Sequence, residues 1–247
     1  MKPAHPRQIL VAVAVLIALP QLAFAQDISL SLGEGGSLSA RSIQLILLIT
    51  VLGLAPGIAI TITCFPFLVT VLAILRQAIG LQQSPPNMLI VSLALFLTYF
   101  VMEPVFETAW RDGIGPMIAE TVDTETGLRR AVAPFRDFMA ARVDAETFAS
   151  LAELRSGGVT AEPTGDAPLS LLFPSFLLTE ISRAFQIGFL VFLPFLIIDL
   201  VVAAILMSMG MMMVPPAIVA LPFKLAFFVV ADGWSLIAAA LVRSYSP

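Results

Sequence analysis

Long apolar runs, divided by a single charged block, limit what this sequence can fold into. Residues 43–62, 88–102, 185–206 and 217–242 are almost wholly apolar, and residues 103–166 carry most of the charge. Inside a bilayer every backbone N–H and C=O must find a partner within the protein, so such runs become helices or strands of a closed barrel. Runs of about 20 residues match the length of a helix that crosses the hydrocarbon layer. At 59% hydrophobic and 12% charged, the 247-residue chain lies far from a soluble domain, which is about half apolar and about a quarter charged. The expected fold is an all-α membrane protein: kinked or discontinuous apolar helices in hairpins, with one helical polar segment inserted between them.

The order along the chain follows. Lys2 and Arg7, an apolar stretch over 9–19 and Ala23-Phe24-Ala25 make a secretory signal peptide, residues 1–25, cut between Ala25 and Gln26. An uncleaved short anchor is the alternative. Residues 26–42 read as a loose leader outside the cytoplasm, rich in Gly and Ser. Residues 43–103 form a first apolar hairpin. It is interrupted by Gly53, Pro56, Gly57 and Pro66, with a stop at Gly80, and Glu103-Pro104 close its second run. Residues 104–173 form a helical segment, and 174–247 a second apolar hairpin. Within residues 103–166 the acids outnumber the bases twelve to six, which together with the signal peptide points to the extracytoplasmic side. There Pro134 suits a helix start, and Phe135, Phe138, Met139 and Val143 fall on one helical stripe. A second short helix runs from Asp144 to Leu154, ended by Gly157-Gly158. The hairpin either docks on a partner copy or forms a self-contained cap.

Several chemistries are excluded early. The only histidine, His5, lies in the removable segment, and Cys64 is the only cysteine. The usual zinc sites and His-activated nucleophiles need more than this, so no enzyme, metal or cofactor is expected. No basic face for nucleic acid is present. Glu103 and Glu107 form a carboxylate pair, but a solvated helix end accounts for them.

Two features remain that carry function. Residues 207–216 read Met-Ser-Met-Gly-Met-Met-Met-Val-Pro-Pro, and Pro215-Pro216 stop any helix there. Methionine is flexible and polarisable and repacks around different neighbours. Met207, Met209, Met211, Met212 and Met213 at one bend therefore make a deformable seal, or else they are apolar filler. Second, Glu180, Arg183, Asp199, Lys224 and Asp232 lie within or beside apolar helices, where each unpaired charge costs about 2.5–3.5 kcal/mol. Glu180 and Arg183 are spaced to pair on one helix face. Asp199 and Lys224 flank the methionine bend at similar distances, and a pair between them is expected, within a chain or between copies. These charges either fix register and gating contacts, or Asp199 and Glu180 form a relay in a proton-coupled secondary transporter.

Longer motifs go further. Leu75-Arg76-Gln-Ala-Ile-Gly80, Gln82-Gln-Ser-Pro-Pro-Asn87, the stretch from Leu93 to Val105, residues 180–188, Phe192-Leu-Pro-Phe195 and Ile198-Asp199 resemble the FliP family of flagellar export proteins. So do residues 206–216, Leu221-Pro-Phe-Lys224, Asp232-Gly-Trp234 and Pro134-Phe-Arg-Asp-Phe-Met139. The resemblance implies a subunit of the type III export gate in the bacterial inner membrane, at the flagellar basal body. It implies a helical ring of five copies with FliQ and FliR family proteins and other export-apparatus proteins. Unfolded flagellar subunits would pass through the pore, closed by a gasket of the methionine loop. The residues 104–173 would be periplasmic. One departure stands out: the family usually has Ser-Phe followed closely by a basic residue, where this chain has Cys64-Phe65-Pro66-Phe67.

Overall fold

The computed structural model describes residues 38–81, 84–154, 162–211 and 213–245. The described residues are helical and contain no strand, as an all-α membrane protein requires. Three helices are long and apolar enough to cross a membrane: Ser42–Thr61, Asn87–Ile118 and Leu169–Ser208. A fourth crossing is available if Pro216–Val230 and Gly233–Arg243, bent by 61°, count as one span. The chain divides into two compact units, Met1–Leu52 and Gly53–Pro247. The signal peptide with its Ala25/Gln26 junction, and most of the leader, lie outside the described residues.

The division falls inside helix α1, Leu38–Thr61. The end of the expected loose leader is therefore helical from Leu38, because the apolar run propagates backwards through good helix formers. Gly53, Pro56 and Gly57 do not interrupt the helix. Within it the Thr50 hydroxyl donates to the Ile46 carbonyl at 2.7 Å and the Thr61 hydroxyl to that of Gly57 at 3.0 Å, so both polar groups are satisfied locally.

In the second unit, helix α2, Phe65–Ile79, is the central element. Phe67, Leu68, Val71, Leu72, Leu75, Ala78 and Ile79 are all buried, an i, i+1, i+4 pattern that makes one apolar stripe. Pro66 falls in the first turn, where its missing N–H costs nothing. The departure at Cys64-Phe65-Pro66-Phe67 is thus absorbed as a helix start. Gly80 ends α2 at φ 88, a left-handed cap that glycine adopts without strain.

Helix α3, Asn87–Ala109, runs straight through the expected stop at Glu103-Pro104. A proline removes one donor but holds a helix-compatible φ, and neighbouring polar groups can re-satisfy the backbone. Nearby, the Thr108 hydroxyl bonds back to the Pro104 carbonyl at 2.8 Å, one turn beyond the Phe100 carbonyl that the proline leaves without its N–H donor. The helix widens into a π turn, Trp110–Ile114, and closes with α4, Gly115–Ile118. The wide turn lays Gly113 against Ala131 so closely that a Cβ there would collide with the Ala131 backbone.

Ala131 belongs to α5, Thr124–Arg142. This helix begins ten residues before Pro134, which sits in its interior and not at its start. The start is set by Asp123, whose carboxylate accepts from the Thr126 N–H at 3.0 Å. A side-chain acceptor for orphan N–H groups outweighs the positional preference of proline. Asp144 opens α6, Ala145–Glu153, in the same way, accepting from the Thr147 N–H at 2.9 Å. Met139, Val143, Phe148 and Ala152 pack with Leu171, Leu172 and Phe176 at the start of α7, Leu169–Ser208. Met139 and Val143 of the stripe read from the sequence are therefore buried within the chain itself, Phe138 is half-buried beside them, and Phe135 packs on Phe106 of α3. Arg136 pins the approach to α7, donating to the carbonyls of Gly165 at 2.5 Å and Ala167 at 2.7 Å.

At about 1.5 Å per residue, α7 is about 60 Å long, twice the hydrocarbon thickness. It crosses α2 at Gly188, where a Cβ would collide with the Ile74 side chain. After the methionine bend, α8, Pro216–Val230, and α9, Gly233–Arg243, return alongside.

The backbone N–H of Thr126 holds the Asp123 carboxyl below its ordinary value, and that of Thr147 does the same for Asp144. For depressed carboxyls the stabilisation is present above the ordinary value and is lost as pH falls through the lowered one. Asp144→Ala is expected to lower the thermal unfolding midpoint by about 2–4 °C near neutral pH and to lose that deficit in strong acid. Circular dichroism of the detergent-solubilised protein across pH measures both.

Candidate functional site

The methionine bend grows out of the last turn of α7. Its backbone is fixed by two bonds: Gly210 N–H donates to the Met207 carbonyl at 3.1 Å, and Met211 N–H to that of Leu206 at 2.9 Å. Together with Gly210 at φ 75, this is a Schellman motif, which needs a residue free to adopt the left-handed region. Pro215 and Pro216 then start α8. The side chains are not buried by this arrangement. Met207, Met209 and Met211 are exposed, and Met213 is 98% exposed. Met212 lies outside the described residues.

Below the bend, α7 and α8 enclose an apolar groove of 510 Å³. Ile198, Val202, Ile205, Val219 and Phe223 line it, with Met209 and Met211. Met209 and Met211 therefore belong to a continuous apolar surface that this chain alone leaves uncovered. Exposed apolar patches of this kind mark contact with another molecule or with lipid.

The structure brings Asp199 of α7 and Lys224 of α8 together within one chain: Nζ lies 2.6 Å from Oδ2. Lys224 is buried, and its ammonium also donates to the Ala78 carbonyl at 3.1 Å, in the last turn of α2. A cation at a helix C-terminus meets both orphan carbonyls and the negative end of the helix dipole. The second carboxylate oxygen of Asp199, Oδ1, is buried without a hydrogen-bond partner among the described residues.

Glu180 is fully buried on α7. Its Oε1 accepts from Arg142 Nε at 3.3 Å, and Arg183 stands farther off at 3.9 Å. Oε2 accepts from the Tyr245 hydroxyl. Arg142 also donates to the Ser244 carbonyl at 2.9 Å, and its guanidinium lies 4.1 Å from the centre of the Tyr245 ring. The expected Glu180–Arg183 pair is thus the weaker half of a larger cluster. Arg142 and Tyr245 were missed because they lie 38 residues before and 65 residues after Glu180. The one available signal is that Arg142 continues an otherwise apolar stripe.

Asp232 joins none of this. It is exposed at the α8–α9 bend, at φ 47, without an ion pair among the described residues. Gly233 beside it admits no Cβ, because the Phe228 ring occupies the space. Glu180 and Asp199 stand about 28 Å apart along α7, each held by its own cation. Among the described residues no group of three or more His, Cys, Asp or Glu side chains is placed to hold a metal ion.

The FliP family pattern matches residues 48–241. The chain is 48% identical over 96% of its length to a flagellar biosynthetic protein FliP from Caulobacter vibrioides, covering 89% of that protein. It is 45% identical to the protein of that name from Agrobacterium fabrum, with 96% and 98% covered. The corresponding figures for Aquifex aeolicus are 43%, 95% and 98%.

Removing Arg142 strands a buried carboxylate, and such a break costs about 3–5 kcal/mol. Arg142→Leu is therefore expected to destabilise strongly, and the double variant Arg142→Leu/Glu180→Leu to recover much of the loss. Denaturant unfolding of the four proteins in a double-mutant cycle measures the coupling.

Proposed function

The chain belongs to the FliP family, and from that premise we propose that it is a pore-forming subunit of the flagellar type III protein export gate. Several copies assemble as a ring in the bacterial inner membrane, five on the family's pattern, with FliQ and FliR family proteins and the rest of the export apparatus. Unfolded flagellar subunits cross through the channel, and residues 104–173 lie on the periplasmic side. Met207, Met209, Met211, Met212 and Met213 form the gasket that seals the channel when no substrate is present.

One observation carries this reading: an exposed cluster of thioethers at a bend whose start is held by the Gly210 turn. A lone soluble or lipid-facing hairpin has no use for a fixed loop of uncovered methionines. Around a ring axis the same loops meet, and each Met side chain finds apolar neighbours on the others. The apolar faces of α1, α3 and α7 support assembly in the same sense, since Ile46, Ile49, Phe96, Phe100, Phe189 and Leu200 are all exposed. Glu180, Arg183, Asp199 and Lys224 act as structural ion pairs that hold the loop-bearing hairpin, and Asp232 marks its bend.

Replacing Met211, Met212 and Met213 together by Ala shortens the gasket without altering the glycine turn. Membranes containing the full export complex are expected to leak ions after this change, read as growth inhibition and dye or conductance flux. Membranes that remain tight would show that the loop does not seal the channel.

A further inference from the structure

The arm formed by α8 and α9 returns along α7 and touches its carboxylates twice. Near the methionine bend Lys224 meets Asp199 at 2.6 Å. At the far end Tyr245, just past α9, donates its hydroxyl to Glu180. Between these contacts the arm turns by 61° through Ala231 and Asp232. At the turn itself Phe228 packs edge-on to Trp234 at 5.3 Å, while Asp232 sits at φ 47 and makes no cap bond to α9. The left-handed region is strained for a non-glycine residue and persists only where the surroundings hold it. Among the described residues, the side-chain hydrogen bonds that tie α9 and the residues just after it to other helices lie at its other end.

That end is held unusually well. Leu241 is buried. Tyr245 packs its ring edge-on to Phe67 of α2 at 5.4 Å and stacks on Phe138 of α5 at 6.1 Å. Arg142 covers the same ring and takes the Ser244 carbonyl at the end of α9. Four elements meet at one phenol. The near side of α9, by contrast, leaves Trp234 and Leu236 exposed.

We propose that Tyr245 is a positioning residue, a clasp whose bond to Glu180 fixes the angle at the α8–α9 bend. Opening it frees the end of α9 from its directed bond to α7, and α9 swings about Ala231–Asp232. The aromatic packing alone does not hold the angle, because a ring can slide on its neighbours while a hydrogen bond to a buried carboxylate is directional.

The test measures the angle directly. The full chain, carrying Cys64→Ala, is spin-labelled at Leu128→Cys on α5 and Leu236→Cys on α9, both exposed positions. It is reconstituted in lipid nanodiscs, and the interspin distance distribution is recorded by pulsed dipolar spectroscopy. A single narrow distance is expected with Tyr245 present. Tyr245→Phe keeps the ring between Phe67 and Phe138 and is expected to broaden the distribution roughly twofold, as a released hinge would. Glu180→Gln retains an acceptor oxygen and is expected to keep the distance narrow, whereas Glu180→Leu is expected to broaden it. A Tyr245→Phe distribution as narrow as the parent's overturns the clasp. So does equal width in Glu180→Gln and Glu180→Leu, which decides the matter even if Tyr245→Phe does not fold.

Discussion

A carboxylate with no access to water sets the terms for much of this structure. Taking an ion of that size out of water costs several kcal/mol even after relaxation, so Glu180 can exist only if donors are brought to it. The donors come from distant parts of the chain: Arg142 at the end of α5, and Tyr245 after α9. Their meeting requires α2, α5, α7 and α9 to be in place together, because Phe67 and Phe138 hold the Tyr245 ring. Apolar packing alone would let these helices slide on one another. A buried charge with two directed partners permits a single arrangement, and that selection is what such pairs supply best, more than net stability.

Lys224 plays the corresponding part at the other end of α7. It joins α8 to α7 through Asp199 and to α2 through the Ala78 carbonyl. Both carboxylates of α7 are thus answered by groups from the returning arm, and α2 is in contact at both points. The internal prolines fit beside these fixed points. Pro56, Pro104, Pro134, Pro174, Pro194 and Pro222 all lie inside helices. Hydroxyls bonded back to the helix carbonyls recur near them: Thr108 to Pro104, and Ser175 to Leu171 at 2.7 Å. Substituted helices of this kind are stable where neighbouring helices, not lipid alone, surround them.

What the sequence disclosed depended on the range of the interaction. Apolar length located the spans, and the glycine stop at Gly80 and the aspartate at Asp144 gave local ends that the structure keeps. Charge within apolar surroundings pointed to Asp199 and Lys224 because both signs were near one bend. Local rules failed where tertiary contacts decide. Glu103-Pro104 looks like a helix end, but α3 continues because α5 packs on its extension at Gly113. Pro134 looks like a helix start, but the cap at Asp123 governs. Arg142 and Tyr245 were not legible as partners of Glu180, since no pattern within one element links them. Gln82, Gln83, the expected stop at Gly157-Gly158, Met212 and the first 37 residues lie outside the described residues.

The Gly210 turn has a consequence for time as well as shape. Its two backbone bonds hold the main chain from Leu206 to Met211, while Met209, Met211 and Met213 remain uncovered. Along that stretch the readiest compliance resides in side-chain torsions. Rotamer flips of exposed side chains take picoseconds to nanoseconds, whereas collective helix motions take microseconds or longer. In the proposed seal, each new residue of a passing chain would meet thioethers that rearrange within nanoseconds. Closure behind the last residue would draw on the same fast side-chain motions.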